Sequence, residues 1–136
     1  MKVLIICLLM SFSAMACDEV TLHTVSHHYN LPVRHIDVNN ANIGLGVVCN
    51  DLVAGAYYNT FWHMSMYAGK KFGDNYGVIL GGVTGYPKEH YSIIEPLVVG
   101  YVSIPVGDIK INLTFSPPIS NMVGVASVSF GIPISH

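Results

Sequence analysis

Seven histidines stand in a chain of 136 residues, and four of them, His23, His27, His28 and His35, fall within thirteen positions. A neutral imidazole can take the proton from a hydroxyl that attacks an acyl ester, provided a polar neighbour fixes its tautomer. Polar candidates for that neighbour come from "NTFWHMSMYAG", residues 59–69, where Asn59, Thr60, His63 and Ser65 are set among Trp62, Met64, Met66 and Tyr67. The residues alone leave the choice of base open between His23 and His28. A metal centre is not expected. The adjacent imidazoles of "SHHY" would point to opposite faces of a strand, and no clustered carboxylates or cysteines complete a ligand set. The chain has no G-x-S-x-G elbow, H-E-x-x-H pair, phosphate loop or C-x-x-C motif, and no soluble cofactor is implied.

The elements that must position these residues are strands. Val, Ile, Tyr and Gly abound, and turn signals recur at short intervals. Eight strands are expected, at 20–29, 41–49, 52–59, 61–72, 75–85, 93–104, 109–116 and 121–132. Asn50-Asp51 and Gly73-Asp74-Asn75 supply tight-turn chemistry, while Pro105 to Asp108 and Pro117-Pro118 are expected to end their ladders, since proline has no amide hydrogen to donate. "IKINLTF" alternates cleanly, with Ile109, Ile111, Leu113 and Phe115 opposing Lys110, Asn112 and Thr114. By the same alternation Trp62, Met64, Met66 and Ala68 are expected to face outward, and His63, Ser65 and Tyr67 inward. On the first strand it groups His23 with Val25 and His27, and His28 with Leu22, Thr24 and Ser26.

Composition selects the setting. The net charge of −2 gives no basic footprint for nucleic acid. Only 10% of residues are charged and mean hydropathy is +0.50, yet no apolar run after the N-terminal segment reaches the roughly 20 residues of a membrane helix. Lys2, the apolar run Val3 to Met10 and the small-x-small site Ala14-Met15-Ala16 read as a secretory signal peptide over 1–16, followed by one β-barrel domain over 17–136. Of the cysteines, Cys7 would leave with the signal. Pairing of Cys17 with Cys49 and lipidation of Cys17 both remain open. An exported, charge-poor β-chain fits a transmembrane barrel or a soluble β-sandwich of the periplasm. Low charge favours an all-β, eight-stranded antiparallel up-and-down barrel, whose interior admits side chains or one slim ligand.

In order along the chain, "VTLHTVSHHYN", "NIGLGV", "GAYYNTFWHMSMYAG", "GVILGGVTGY" and "IIEPLVVGYVSIPVGDIKINLTFSPP" resemble segments of the lipid A palmitoyltransferase family, outer-membrane barrel enzymes that move a palmitoyl chain from phospholipid to lipid A. The resemblance covers nearly all of residues 20–132. It implies an eight-stranded barrel whose apolar interior measures an acyl chain. It also implies a site in which His23 falls on the family's functional His, Asn59 on its Asp and Thr60 on its Ser, with His28 as the competing His. Asn59 could orient an imidazole without stabilising its charge, and Thr60 keeps the hydroxyl. The family's N-terminal amphipathic helix has no counterpart before the first strand. Pro96, Pro105 and Pro117 resemble the positions where the family lets lipid in laterally.

The expectation is an outer-membrane acyltransferase-like protein in which His23 is the general base acting on an acceptor hydroxyl, while Thr60 and Asn59 position the base and the acyl ester or stabilise the developing oxyanion. Its partners would be phospholipid and lipid A-type lipids, and it would work as a monomer without a cofactor. The alternative is a non-catalytic lipid-binding or structural barrel of the outer membrane or periplasm, bacterial or phage-encoded.

Overall fold

Three tight turns define one end of the molecule. Asn50, Gly73 and Gly107 all adopt positive φ, at 54°, 108° and 61°, and each opens a short connection between neighbouring strands. The computed structural model describes residues 16–29, 38–86, 93–118 and 124–134. Residues 1–15 of the expected leader, His35 and most of the two loops expected at 30–40 and 86–92 lie outside these. The strands are β1 (Glu19–Tyr29), β2 (Gly44–Cys49), β3 (Leu52–Tyr58), β4 (Met64–Phe72), β5 (Tyr76–Val83), β6 (Glu95–Val106), β7 (Ile109–Ser116) and β8 (Gly124–Pro133). Each pairs antiparallel with the next, and β8 pairs back onto β1 to close an eight-stranded barrel. Among the described residues no helix is long and apolar enough to cross a membrane.

Several expected boundaries move, among them the start of β2 from 41 to Gly44 and the end of β5 from 85 to Val83, and two of the shifts have a clear cause. β6 runs through Pro105 to Val106, paired with Lys110 and Ile109 of β7. Proline is tolerated there because Ser103 N already donates to Asn75 O, where β5 begins. The nitrogen of Pro105, two residues on, therefore points past the end of β5, where no acceptor strand waits. β4 starts at Met64 rather than at 61, because residues 59–63 form a turn closed by Asn59 N donating to His63 O at 2.7 Å. His63 is consequently exposed instead of facing inward, whereas Ser65 is fully buried and Tyr67 lines the interior. Met64 and Met66 face out, 60% and 63% exposed.

The distribution of side chains is inside out for a water-soluble domain. The buried set is mostly polar and includes Thr21, His28, Asn42, Ser103, Asn112 and Ser129. The only buried apolar residues among those described are Cys49, Val53, Val83 and Tyr101. The outer wall carries Leu22, Leu45, Met66, Leu80, Val102, Leu113 and many more apolar side chains. Charge avoids the middle of this wall. Asp18, Glu19, Asp51, Lys70, Lys71, Asp74, Asp108 and Lys110 all belong to the short-turn end, and Glu95 alone among the described charged residues belongs to the other.

The short-turn end is closed from inside. Glu19 pairs with Lys110 at 3.1 Å and accepts from Asn112 Nδ2 at 3.2 Å. Ser103 donates to Asn112 Oδ1 at 2.6 Å. Gly131 must lack a side chain here, since a Cβ would stand 2.2 Å from the Glu19 carboxylate. A disulfide joins Cys17, just before β1, to Cys49 at the end of β2. The pairing left open by the sequence is thus made, and the Cys17 thiol is occupied.

Candidate active site

A bulge in β1 decides which histidines meet. The β1–β8 register shifts between His23 and Val25, and Thr24, the extra residue, donates its hydroxyl to Val128 O at 2.7 Å. Strict alternation would place His23 and His28 on opposite faces. The extra residue reverses the phase, so both turn inward at different depths and His27 turns outward, exposed.

His23 lies in the wall of the cavity. Its Nε2 is 2.8 Å from the Tyr67 hydroxyl, and its ring packs against Tyr57 and Tyr67. The Tyr67 hydroxyl needs flat backbone beneath it, and a Cβ on Gly46 would come within 2.3 Å of it. No contact joins His23 to Asn59 or Thr60 among the described interactions.

His28 meets Thr60 instead. Its Nε2 stands 2.6 Å from Thr60 Oγ1, and its Nδ1 stands 2.8 Å from Asn40 Oδ1. The amide oxygen can only accept, so Nδ1 carries the ring hydrogen and donates to Asn40. Nε2 of the neutral ring then presents a lone pair that accepts the Thr60 hydroxyl hydrogen. The order hydroxyl, imidazole, amide oxygen is that of a nucleophile, its base and the group that orients the base. His28 and Thr60 are both buried, at 6% and 4% exposure.

The backbone around the site is held by asparagines. Asn39 N donates to Thr60 O at 2.8 Å, and Asn39 Nδ2 donates to Asn59 O at 3.2 Å. Asn42 Nδ2 donates to Tyr58 O at 2.8 Å, and its Oδ1 accepts from Ser26. These bonds stitch the approach to β2 onto the 58–60 turn and bring Asn40 over His28. The run "NNAN" at 39–42 was the sequence signal for this element, and Asn40 is the site residue the sequence reading lacked.

Asn59 touches no imidazole. It is fully buried, and its amide is fully used by the turn. Oδ1 accepts from Phe61 N at 2.8 Å and His63 N at 3.0 Å. Nδ2 donates to Ser65 Oγ at 2.9 Å and Gly85 O at 2.7 Å. Asn59 therefore fixes the backbone on which Thr60 stands, and the orienting amide comes from Asn40.

Thr60 opens onto a cavity of about 540 Å³ inside the barrel, within the range that holds one small ligand or chain. Val47, Val53, Tyr57, Tyr67, Ile79, Val83, Leu97 and Val99 line its β2–β6 side, Thr21, Ser26, Thr114, Ser127 and Ser129 line its β1, β7 and β8 side, and the Glu19–Asn112 cluster is the floor. At the mouth the Tyr57 and Tyr86 hydroxyls meet at 2.9 Å, and Phe61 sets its ring edge-on to Tyr86 at 6.0 Å. Burial, more than the nearby Tyr57, pushes the Tyr86 phenol far above its ordinary value and keeps it neutral. No group of three or more His, Cys, Asp or Glu among the described residues could hold a metal ion. No protein-family model and no curated protein sequence matches the chain.

Proposed function

We propose that this protein is a membrane-embedded acyltransferase of the barrel type, moving an acyl chain from a phospholipid to a hydroxyl of a lipid A-type acceptor. The observation that carries the reading is the Thr60–His28–Asn40 relay, whose Thr60 lines the cavity inside the barrel. The setting in an outer membrane rests on the apolar outer wall and its aromatic rims. Tyr58, Trp62 and Phe115 stand exposed at one end, and Phe72 and Tyr76 at the other. Such bands of aromatic residues suit the two interfaces of a bilayer. The Cys17–Cys49 disulfide suits an oxidising compartment.

In this reading an acyl chain lies in the cavity with its ester carbonyl at Thr60. Thr60 Oγ attacks the carbonyl carbon and its proton passes to His28 Nε2. Asn40 Oδ1 holds the imidazole by Nδ1–H but adds no charge to stabilise the imidazolium. Collapse of the tetrahedral intermediate breaks the ester C–O bond, and the departing lysophospholipid oxygen takes the proton back from Nε2. The acceptor hydroxyl then attacks the Thr60 acyl ester, with His28 again the base, and Thr60 is released as its free hydroxyl.

The test is acyl transfer from isotope-labelled phospholipid to a lipid A-type acceptor by the refolded protein, read by mass spectrometry with Thr60→Ala and His28→Ala beside it. Labelled acceptor and lysophospholipid that vanish in both variants, with an acyl ester trapped on Thr60, are expected. Folded protein that yields neither product nor trapped ester would return the barrel to the non-catalytic, lipid-binding alternative.

A further inference from the structure

Glu95 is the charged residue that the relay does not use. It begins β6 opposite the fully buried Val83, on the inward parity it shares with Leu97, Val99 and Tyr101, and it lines the same cavity as Thr60. Among the described residues its carboxylate has neither an ion-pair nor a hydrogen-bond partner. The contrast with Glu19 is direct, since that carboxylate is answered by Lys110 and Asn112. Lys71 also lines the cavity but belongs to its short-turn end, and a carboxylate with no cation partner among the described residues attracts one from outside.

The surroundings narrow the kind of cation. Tyr86 lies three residues beyond Val83, and its ring meets Phe61 edge-on at 6.0 Å. Both rings line the mouth with Glu95. A half-buried carboxylate beside aromatic rings suits an alkylammonium group, which the carboxylate pairs and the ring faces attract. When an acyl chain fills the barrel and its ester stands at Thr60, the headgroup is left at this mouth.

We propose that Glu95, with Phe61 and Tyr86, selects acyl donors whose headgroup carries an ammonium, such as an ethanolamine phospholipid, over donors with an anionic headgroup. The proposal rests on the acyl-transfer reading and adds the donor class to it. Glu95 acts here as a specificity residue and takes no part in the bond changes.

The experiment compares phosphatidylethanolamine, phosphatidylcholine and phosphatidylglycerol of identical chains as donors in otherwise uncharged vesicles. Wild type should prefer phosphatidylethanolamine over phosphatidylglycerol by roughly tenfold, the size of one charge-assisted hydrogen bond at a half-exposed site. Phosphatidylcholine, with the charge but no N–H, should fall between them. The ratio should approach one in Glu95→Gln and invert in Glu95→Lys. A wild-type ratio near one, or a preference that survives in Glu95→Gln, overturns the proposal. If no donor gives product, the acyl-transfer reading fails, and the headgroup site is then judged by binding alone. Native mass spectrometry in detergent would compare lysophosphatidylethanolamine with lysophosphatidylglycerol on wild type, Thr60→Ala and Glu95→Gln. Ethanolamine retention in the first two and its loss in the third supports the site, and equal retention in all three overturns it.

Discussion

At the short-turn end of the barrel, Glu19, Asn112 and Ser103 bury their polar atoms against one another, and the part-exposed Lys110 pairs with Glu19. At the opposite end His28 and Thr60 do the same, and the exposed Asn40 bonds the far side of the imidazole. Both clusters are hydrogen-bonded, as buried polar groups must be, but they differ in what remains open. The floor balances its carboxylate with an ammonium and shuts the cavity. The mouth ends its chain of bonds at Thr60, which lines the cavity, and among the described residues its one carboxylate, Glu95, has no cation. Buried polarity by itself therefore does not mark a site. The same kinds of side chain serve to close the barrel where the network is complete and, in the proposed reading, to receive a ligand where it is not.

That contrast can be broken first at the mouth. Thr60→Val removes the hydroxyl but keeps the shape, and transfer should fall by about a thousandfold or more. Urea unfolding in detergent should move by only about 1–2 kcal/mol, the cost of leaving the buried His28 Nε2 unpaired. A large loss of stability in place of activity would make Thr60 a packing residue like those of the floor. The neighbouring Asn59 should behave in the opposite way. Asn59→Ala strands two backbone amides, the Gly85 carbonyl and Ser65, and should cost about 3 kcal/mol of stability. If it abolished transfer in a barrel of unchanged stability, Asn59 would belong with the relay.

The floor is tested by Glu19→Gln, which keeps the shape but leaves Lys110 without its charge partner. Lys110 is 36% exposed and can recover some hydration, so the expected loss is about 1–2 kcal/mol, less than for a fully buried pair. Adding Lys110→Met should recover most of it, and a double change as costly as the sum of both would show that the two residues do not act as a pair. The smallest effect is expected at Asn40. Asn40→Ala leaves Thr60 and His28 in contact but frees the ring to rotate, and the transfer rate should fall by about tenfold. Asn40→Asp should restore it, because a carboxylate accepts the same Nδ1–H; failure to do so would remove the orienting role.

Strand count, order and most strand limits follow from period-2 alternation and from the turn residues Asn50, Gly73 and Gly107, all of which are local. Where the expectation slipped, a long-range bond was responsible. Whether Pro105 can stay in β6 depends on where β5 ends, and whether residues 61–63 extend or turn depends on the Asn59 side chain reaching Phe61 and His63. The site was legible in part. Thr60 and the two candidate histidines were visible as residue types. The expectation set His23 beside Thr60 where the fold sets His28, because the bulge at Thr24 leaves no mark in the spacing of apolar residues.

The sequence by itself determined an all-β barrel with little charge, because alternation, turn chemistry and composition act over a few neighbouring residues. Only closure of the barrel decided which polar residues meet. Thr60 and His28 come together from β3's end and β1, thirty-two residues apart, and Asn40 reaches His28 because Asn39 and Asn42 anchor its segment to the next turn. Those contacts depend on register and on a one-residue phase shift, which are properties of paired strands and not of any strand alone.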